Sequence, residues 1–255
     1  MLSQMILRAL PAHFRASQEP PREGSGGEGG GRRGTGGAAD PGANAPIFNL
    51  PPMVGKLIGL NVAVHAARYF IADDATLVTA LGFVPARYGG SLADDAGPDM
   101  PGLGWTALVA PLTYQFLHGG VAHLGLNMLS LAAFGSAVER RLGGWRMLAF
   151  YLLTGIAAAF AHWAMDPASP DPVIGASGAI SGVFAGALLL LRELGQFGSG
   201  RRQLFLIIGL WLAMTVLTGS SAPPGTGGAP VAWVAHIGGF VAGLALWPLF
   251  VRRSH

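Results

Sequence analysis

Cysteine is absent from the 255-residue sequence, which excludes disulfide scaffolds, thiolate zinc sites, iron–sulfur clusters and cysteine nucleophiles. Charge is scarce too. Asp, Glu, Lys and Arg make up 11% of the residues, against about 25% in an average soluble domain. In their place, 51% of the residues are hydrophobic and mean hydropathy is +0.46. An ordinary water-soluble globule is thereby excluded and a membrane protein expected. The formal net charge of +3 says less than the positions of the charges.

Residues 1–50 differ in composition from everything after them. Gly24, Gly26, Gly27, Gly29, Gly30, Gly31, Gly34, Gly36 and Gly37 crowd into one stretch among scattered charges, and such a segment cannot bury enough apolar surface to offset its chain entropy. A flexible, glycine-rich tail is expected there. Its start holds Arg8 and Arg15, but no long apolar stretch or clear cleavage site of a presequence.

Beyond the tail, apolar runs recur at about 54–72, 119–139, 147–165, 175–191, 203–219 and 231–250, each close to the roughly 20 residues that cross a hydrocarbon core. Lipid offers backbone groups no hydrogen bonds, so each run must be a helix, and period-two alternation for a transmembrane barrel is missing. The expected fold is all-α, with six crossings. Fourteen of the sixteen basic residues then fall on one side, leaving only Arg68 and Arg87 on the other with Asp73, Asp74, Asp94, Asp95, Asp99, Asp166 and Asp171. The positive-inside rule makes both termini cytoplasmic. The long outer connection at 73–118 is expected to carry structure of its own.

Polar side chains inside apolar runs are costly and call for a reason. The second run opens with His118, His123 and Asn127, the fourth with Gly175, Ala176, Ser177 and Gly178, and the sixth carries His236. His123 and Asn127 share one helical face. All three runs enter from the outer side, and counting inward at about 1.5 Å per residue puts Ser177, His236, His123 and Asn127 at one shallow depth. A serine hydroxyl needs a base to become a nucleophile, and His236 has the suitable chemistry. Asp166 and Asp171 lie in a loop, and Glu139 and Glu193 at the opposite surface, so no carboxylate reaches that depth. A hydrolase built here would use a Ser/His dyad. The start of the Ser177 helix, Asn127 and His123 offer donors to an oxyanion. Gly178 and Gly182, with Gly239 and Gly243, form small-xxx-small pairs that let two helix backbones approach closely in lipid.

Four segments carry a resemblance: H-G-G-V-A-H-L-G-L-N (118–127), V-E-R-R-L-G (138–143), G-A-S-G-A-I-S-G (175–182) and A-H-I-G-G-F-V-A-G (235–243). As an ordered set spanning about 54–250, they resemble the rhomboid family of intramembrane serine proteases. The resemblance implies a six-transmembrane-helix rhomboid-like bundle over 51–255, with Ser177 as nucleophile and His236 as general base. His123, Asn127 and the Ser177 backbone N–H would form the oxyanion hole, and Gly175, Gly178, Gly182, Gly239 and Gly243 would support it. Expected partners are single-pass transmembrane substrates, cut near their outer ends, and membrane lipid. No cofactor, metal or nucleic acid is implied, and no oligomeric state is read.

Two positions depart from the family pattern. Ser181 stands where some members have a tyrosine packed on the histidine, and Val109 and Ala110 replace a Trp-Arg pair of the loop before the second helix. Glu139 and Arg141 match the family but sit at the cytoplasmic end, where an ion pair or helix cap is expected. His118 is expected to brace the loop, and a zinc site with His123 is not, because a spacing of five leaves them on different faces. His65 and His162 read as packing residues. The segment 220–230, rich in Gly and Pro and uncharged, suits a mobile lid. The alternative function is a non-catalytic rhomboid-like protein that binds membrane helices for quality control; such proteins lose the serine or histidine kept here. A transporter would show inverted repeats and midplane breaks. Richness in alanine, glycine and arginine favours a bacterial inner membrane.

Overall fold

A computed structural model describes residues 50–71, 73–88, 104–197, 202–220 and 233–251. The glycine-rich tail through residue 49 and, of the expected lid at 220–230, residues 221–230 lie outside the described residues. Among the described residues every regular element is a helix or a helical turn, joined by short irregular stretches, with one antiparallel bridge between Phe83 and Val173.

Helix α1 (Pro52–Arg68) starts on a proline, whose missing N–H costs nothing at a first helical position. Its next two N–H groups, at Met53 and Val54, donate to the Glu139 carboxylate at 2.9 and 2.7 Å. A side chain more than eighty residues away thus caps α1. The described parts of the 73–118 connection hold short pieces: α2 (Asp74–Leu81), capped by the Asp73 side chain on Thr76 N–H, and α3 (Trp105–Thr113), with single 3-10 turns at Pro85–Arg87 and Tyr114–Phe116. Ala86 N–H donates to Ser169 O, Thr113 Oγ1 to Leu81 O and Tyr88 OH to Ala107 O, which ties these pieces to one another and to the 166–174 segment.

The long elements follow as α4 (Val121–Leu142), α5 (Gly144–Met165), α6 (Ser177–Glu193), α7 (Arg202–Ser220) and α8 (Trp233–Phe250). Among the described residues, α4, α5 and α8 are long and apolar enough to cross a membrane. A π turn at Leu131–Gly135 interrupts α4, so its two halves present different faces to the interior.

Helix α6 lies at the centre. Every residue from Gly178 to Leu188 is buried, the pattern of a helix apolar all round and enclosed by others. Small residues set its neighbours' distances. A methyl at Gly239 or Gly243 of α8 would fall on the carbonyl oxygens of Gly178 or Gly182, and one at Gly182 on Thr154 of α5. Helix α7 is held differently, by Trp211 stacked on Phe240 with ring centroids 4.5 Å apart and by Phe184 beside both. At the far end of α6, Glu193 accepts from Trp247 Nε1 at 2.8 Å and pairs with Arg141 at 3.8 Å.

Candidate active site

The segment entering α6 is pinned before the helix begins. Val173 pairs with Phe83, and Gly175 N–H donates to Tyr114 O at 2.9 Å. Gly175 adopts φ +125, a left-handed conformation that favours glycine, and a Cβ there would press on Cε1 and Nε2 of His123 at 2.9 Å. Ala176 N–H then reaches His118 Nε2 at 3.4 Å. The first intrahelical bond runs from Ile180 N–H to Ala176 O, which leaves the N–H groups of Ser177 and Gly178 without intrahelical acceptors.

Ser177, the first residue of α6, places its Oγ 2.7 Å from His236 Nε2 on α8. The contact follows from the glycines. With the Gly239 and Gly243 backbones against the carbonyls of Gly178 and Gly182, two helices distant in sequence come close enough for short side chains to meet. Among the described residues no carboxylate hydrogen-bonds to His236; Glu139 and Glu193 are engaged at the other end of the bundle. The Ser181 hydroxyl donates to Ser177 O at 2.8 Å, so it serves its own helix and not the histidine.

His123 and Asn127 approach from α4. Gly119 N–H donates to His123 Nδ1 at 3.3 Å, so the neutral imidazole carries its proton on Nε2, the nitrogen beside Gly175. Asn127 Nδ2 donates one hydrogen to His123 O at 2.8 Å; an amide has a second to give. The buried His118 ring stands edge-on to His123, centroids 5.1 Å apart, and burial pushes its pKa down to about 3. It is therefore neutral, as an acceptor from Ala176 must be. Among the described residues no three His, Asp or Glu side chains group as a metal site.

Of the residues singled out by depth, Ser177, His236 and His123 meet at the start of α6, with Gly175, Gly178, Gly239, Gly182 and Gly243 setting the approach; Asn127 lies one turn further along α4, on His123 O. Glu139 and Arg141 are at the opposite end. Arg68 was missed. Its guanidinium forks onto Asp74 and donates to His118 O, and its one sequence sign is a charge at the end of an apolar run.

The family model described as Rhomboid domain matches residues 106–253, more than half of the chain. The chain is 34% identical over 189 residues to Rhomboid-type serine protease 2 of Emericella nidulans, covering 71% of this chain and 34% of that protein. Over 85 residues it is 46% identical to Rhomboid protease GluP of Bacillus subtilis, covering 33% of this chain and 15% of that one. Rhomboid protease AarA of Providencia stuartii is 29% identical over 162 residues, 55% of each chain. The chain spans a minor part to about half of these relatives' own lengths.

Proposed function

The chain belongs to the rhomboid family and is an integral membrane protein, and on that premise we propose that it is an intramembrane serine endopeptidase that cleaves transmembrane helices near their outer ends. The observation that carries this reading is the 2.7 Å contact between Ser177 Oγ and His236 Nε2, in a family whose named members include serine proteases.

In the proposed reaction, His236 Nε2 takes the Ser177 proton as Oγ attacks the scissile carbonyl. The oxygen of the tetrahedral intermediate receives hydrogen bonds from the Ser177 N–H, from His123 Nε2–H and from the second amide hydrogen of Asn127. His236 then protonates the leaving amine, and water activated by the same imidazole releases the acyl product. With Glu139 and Glu193 engaged elsewhere, the machinery is a dyad.

Six crossings with both termini cytoplasmic are part of the proposal, supported by the arginine distribution. So are a bacterial inner membrane, a tail over 1–50, and a lid at 220–230 that admits a substrate helix from the lipid between the second and fifth crossings. Ser177→Ala and His236→Ala are each expected to abolish cleavage of a transmembrane substrate by the purified protein, because a nucleophile and its base act as one unit. Folding should survive both. Activity within tenfold of wild type in either variant would remove the dyad, and binding without cleavage by the wild-type chain would favour a non-catalytic helix binder.

A further inference from the structure

The outer end of α1 holds a charged cluster that the proposed reaction does not use. Arg68 donates from Nε to Asp74 Oδ1 at 2.6 Å, from Nη2 to Asp74 Oδ2 at 2.7 Å and from Nη1 to the His118 carbonyl at 2.6 Å. All three nitrogens are engaged, and the side chain is only 10% exposed. The Arg68 hydrogen bond holds the Asp74 carboxyl below its ordinary range, so the carboxylate stays ionised and the fork stays closed at neutral pH.

The His118 carbonyl belongs to the same peptide unit as the Gly119 N–H. That unit is planar and trans, so its C=O and N–H point in opposite directions. One end is gripped by Arg68 and the other donates to His123 Nδ1. If the plane turned over, a carbonyl would face Nδ1, the imidazole would move its proton there, and Nε2 would have no hydrogen to offer. Arg68 holds the His118 carbonyl and not its ring, which accepts from Ala176 N–H. In α3, before this peptide, Val109 and Ala110 have no side-chain donor able to take this part.

We infer that Arg68, oriented by Asp74, is a positioning residue that locks the His118–Gly119 peptide and thereby keeps the His123 proton on Nε2, facing the oxyanion. The inference rests on the proposed serine protease reading. It acts through His123 alone, which separates it from a general structural role: its effect must vanish where His123 has nothing to donate.

The test is the rate at which the full chain, in detergent or lipid, reacts with a fluorophosphonate, in which Ser177 Oγ displaces fluoride from phosphorus and the phosphoryl oxygen occupies the oxyanion position. Arg68→Ala is expected to slow labelling roughly 10- to 100-fold, the scale of a small misplacement of a catalytic group. In a His123→Ala background the same change should cost less than about twofold. Arg68→Lys, which keeps the charge but not the planar fork, should retain the melting temperature of the wild type while labelling slowly, and it decides the matter if Arg68→Ala does not fold. Equal slowing in both backgrounds, or wild-type labelling by Arg68→Lys, would overturn the inference and leave the dyad standing. A wild-type chain that is not labelled at Ser177 would remove the dyad reading and this inference with it.

Discussion

At the residue scale, one peptide nitrogen and one amide do much of the work around Ser177. Asn127 uses one hydrogen to hold His123 O, which keeps the other directed by a fixed carboxamide plane. Replacing it with alanine removes one of three expected oxyanion donors. Turnover by Asn127→Ala is expected to fall roughly 10- to 1,000-fold with little change in KM, short of the upper end because His123 and the Ser177 N–H still donate. Steady-state kinetics on a transmembrane substrate check this; a raised KM at constant turnover would make Asn127 a binding residue. The four residues of this cluster were legible because polar groups are rare in apolar runs and depth can be counted along a helix. Arg68 was not, since its partner at the His118 carbonyl lies fifty positions away and a main-chain acceptor leaves no mark in a sequence.

At the scale of elements, the contact between α6 and α8 decides whether the serine and histidine meet. A methyl at Gly239 would collide with the Gly178 carbonyl oxygen, and a backbone atom cannot swing aside as a flexible side chain can. Overpacking of this kind costs about 1–3 kcal/mol, and here it also pushes α8 away from Ser177. Gly239→Ala is expected to lower thermal stability and to abolish most cleavage. The control is Gly59→Ala on α1, where nothing lies within 4 Å of the added carbon. That variant should keep its activity and be unchanged or more stable by up to about 1 kcal/mol, the difference in helix propensity. Thermal melting and cleavage measured side by side separate the two; a fully active Gly239→Ala would show that the helices have slack at this point. The small-xxx-small spacing was visible in the sequence. Which carbonyl each glycine meets was not, because it depends on the crossing of two helices.

For the whole molecule, a serine at the start of a buried helix constrains what can be cut. A peptide bond within an intact helix is shielded by its own hydrogen bonds, so in the proposed reaction a substrate helix unwinds locally to reach Ser177. Cleavage is expected to require Gly, Pro or other weak helix formers near the outer end of the substrate helix, and a small residue just before the cut. Replacing those substrate residues with leucine should slow cleavage at least about fivefold, given the roughly 1–3 kcal/mol that glycine and proline cost a helix. Cleavage at the original rate would show that unwinding is not the gate. Helix α7, held through Trp211 against Phe240 and Phe184, flanks the route proposed for that substrate.

The sequence alone determined the all-helical membrane character, because lipid leaves a backbone few alternatives, and it pointed to the candidate site, because a serine and two histidines in apolar runs have few other reasons to be there. Helix limits agreed closely for the same reason: 121–142 and 144–165 in the structure, against apolar runs at 119–139 and 147–165. What only the tertiary structure decided concerns groups that act through someone else's backbone. The sequence makes Glu139 an ion pair or a cap; its partners are the N–H groups of Met53 and Val54 in the first turn of α1. The hydroxyl of Ser181 stays with Ser177 O. The loop lacking a Trp-Arg pair is tied at its end by Arg68, through the His118 carbonyl. Every residue but proline has the same main-chain donor and acceptor, so nothing in the order of side chains says which of them a distant guanidinium or carboxylate will find; only the folded path of the chain does.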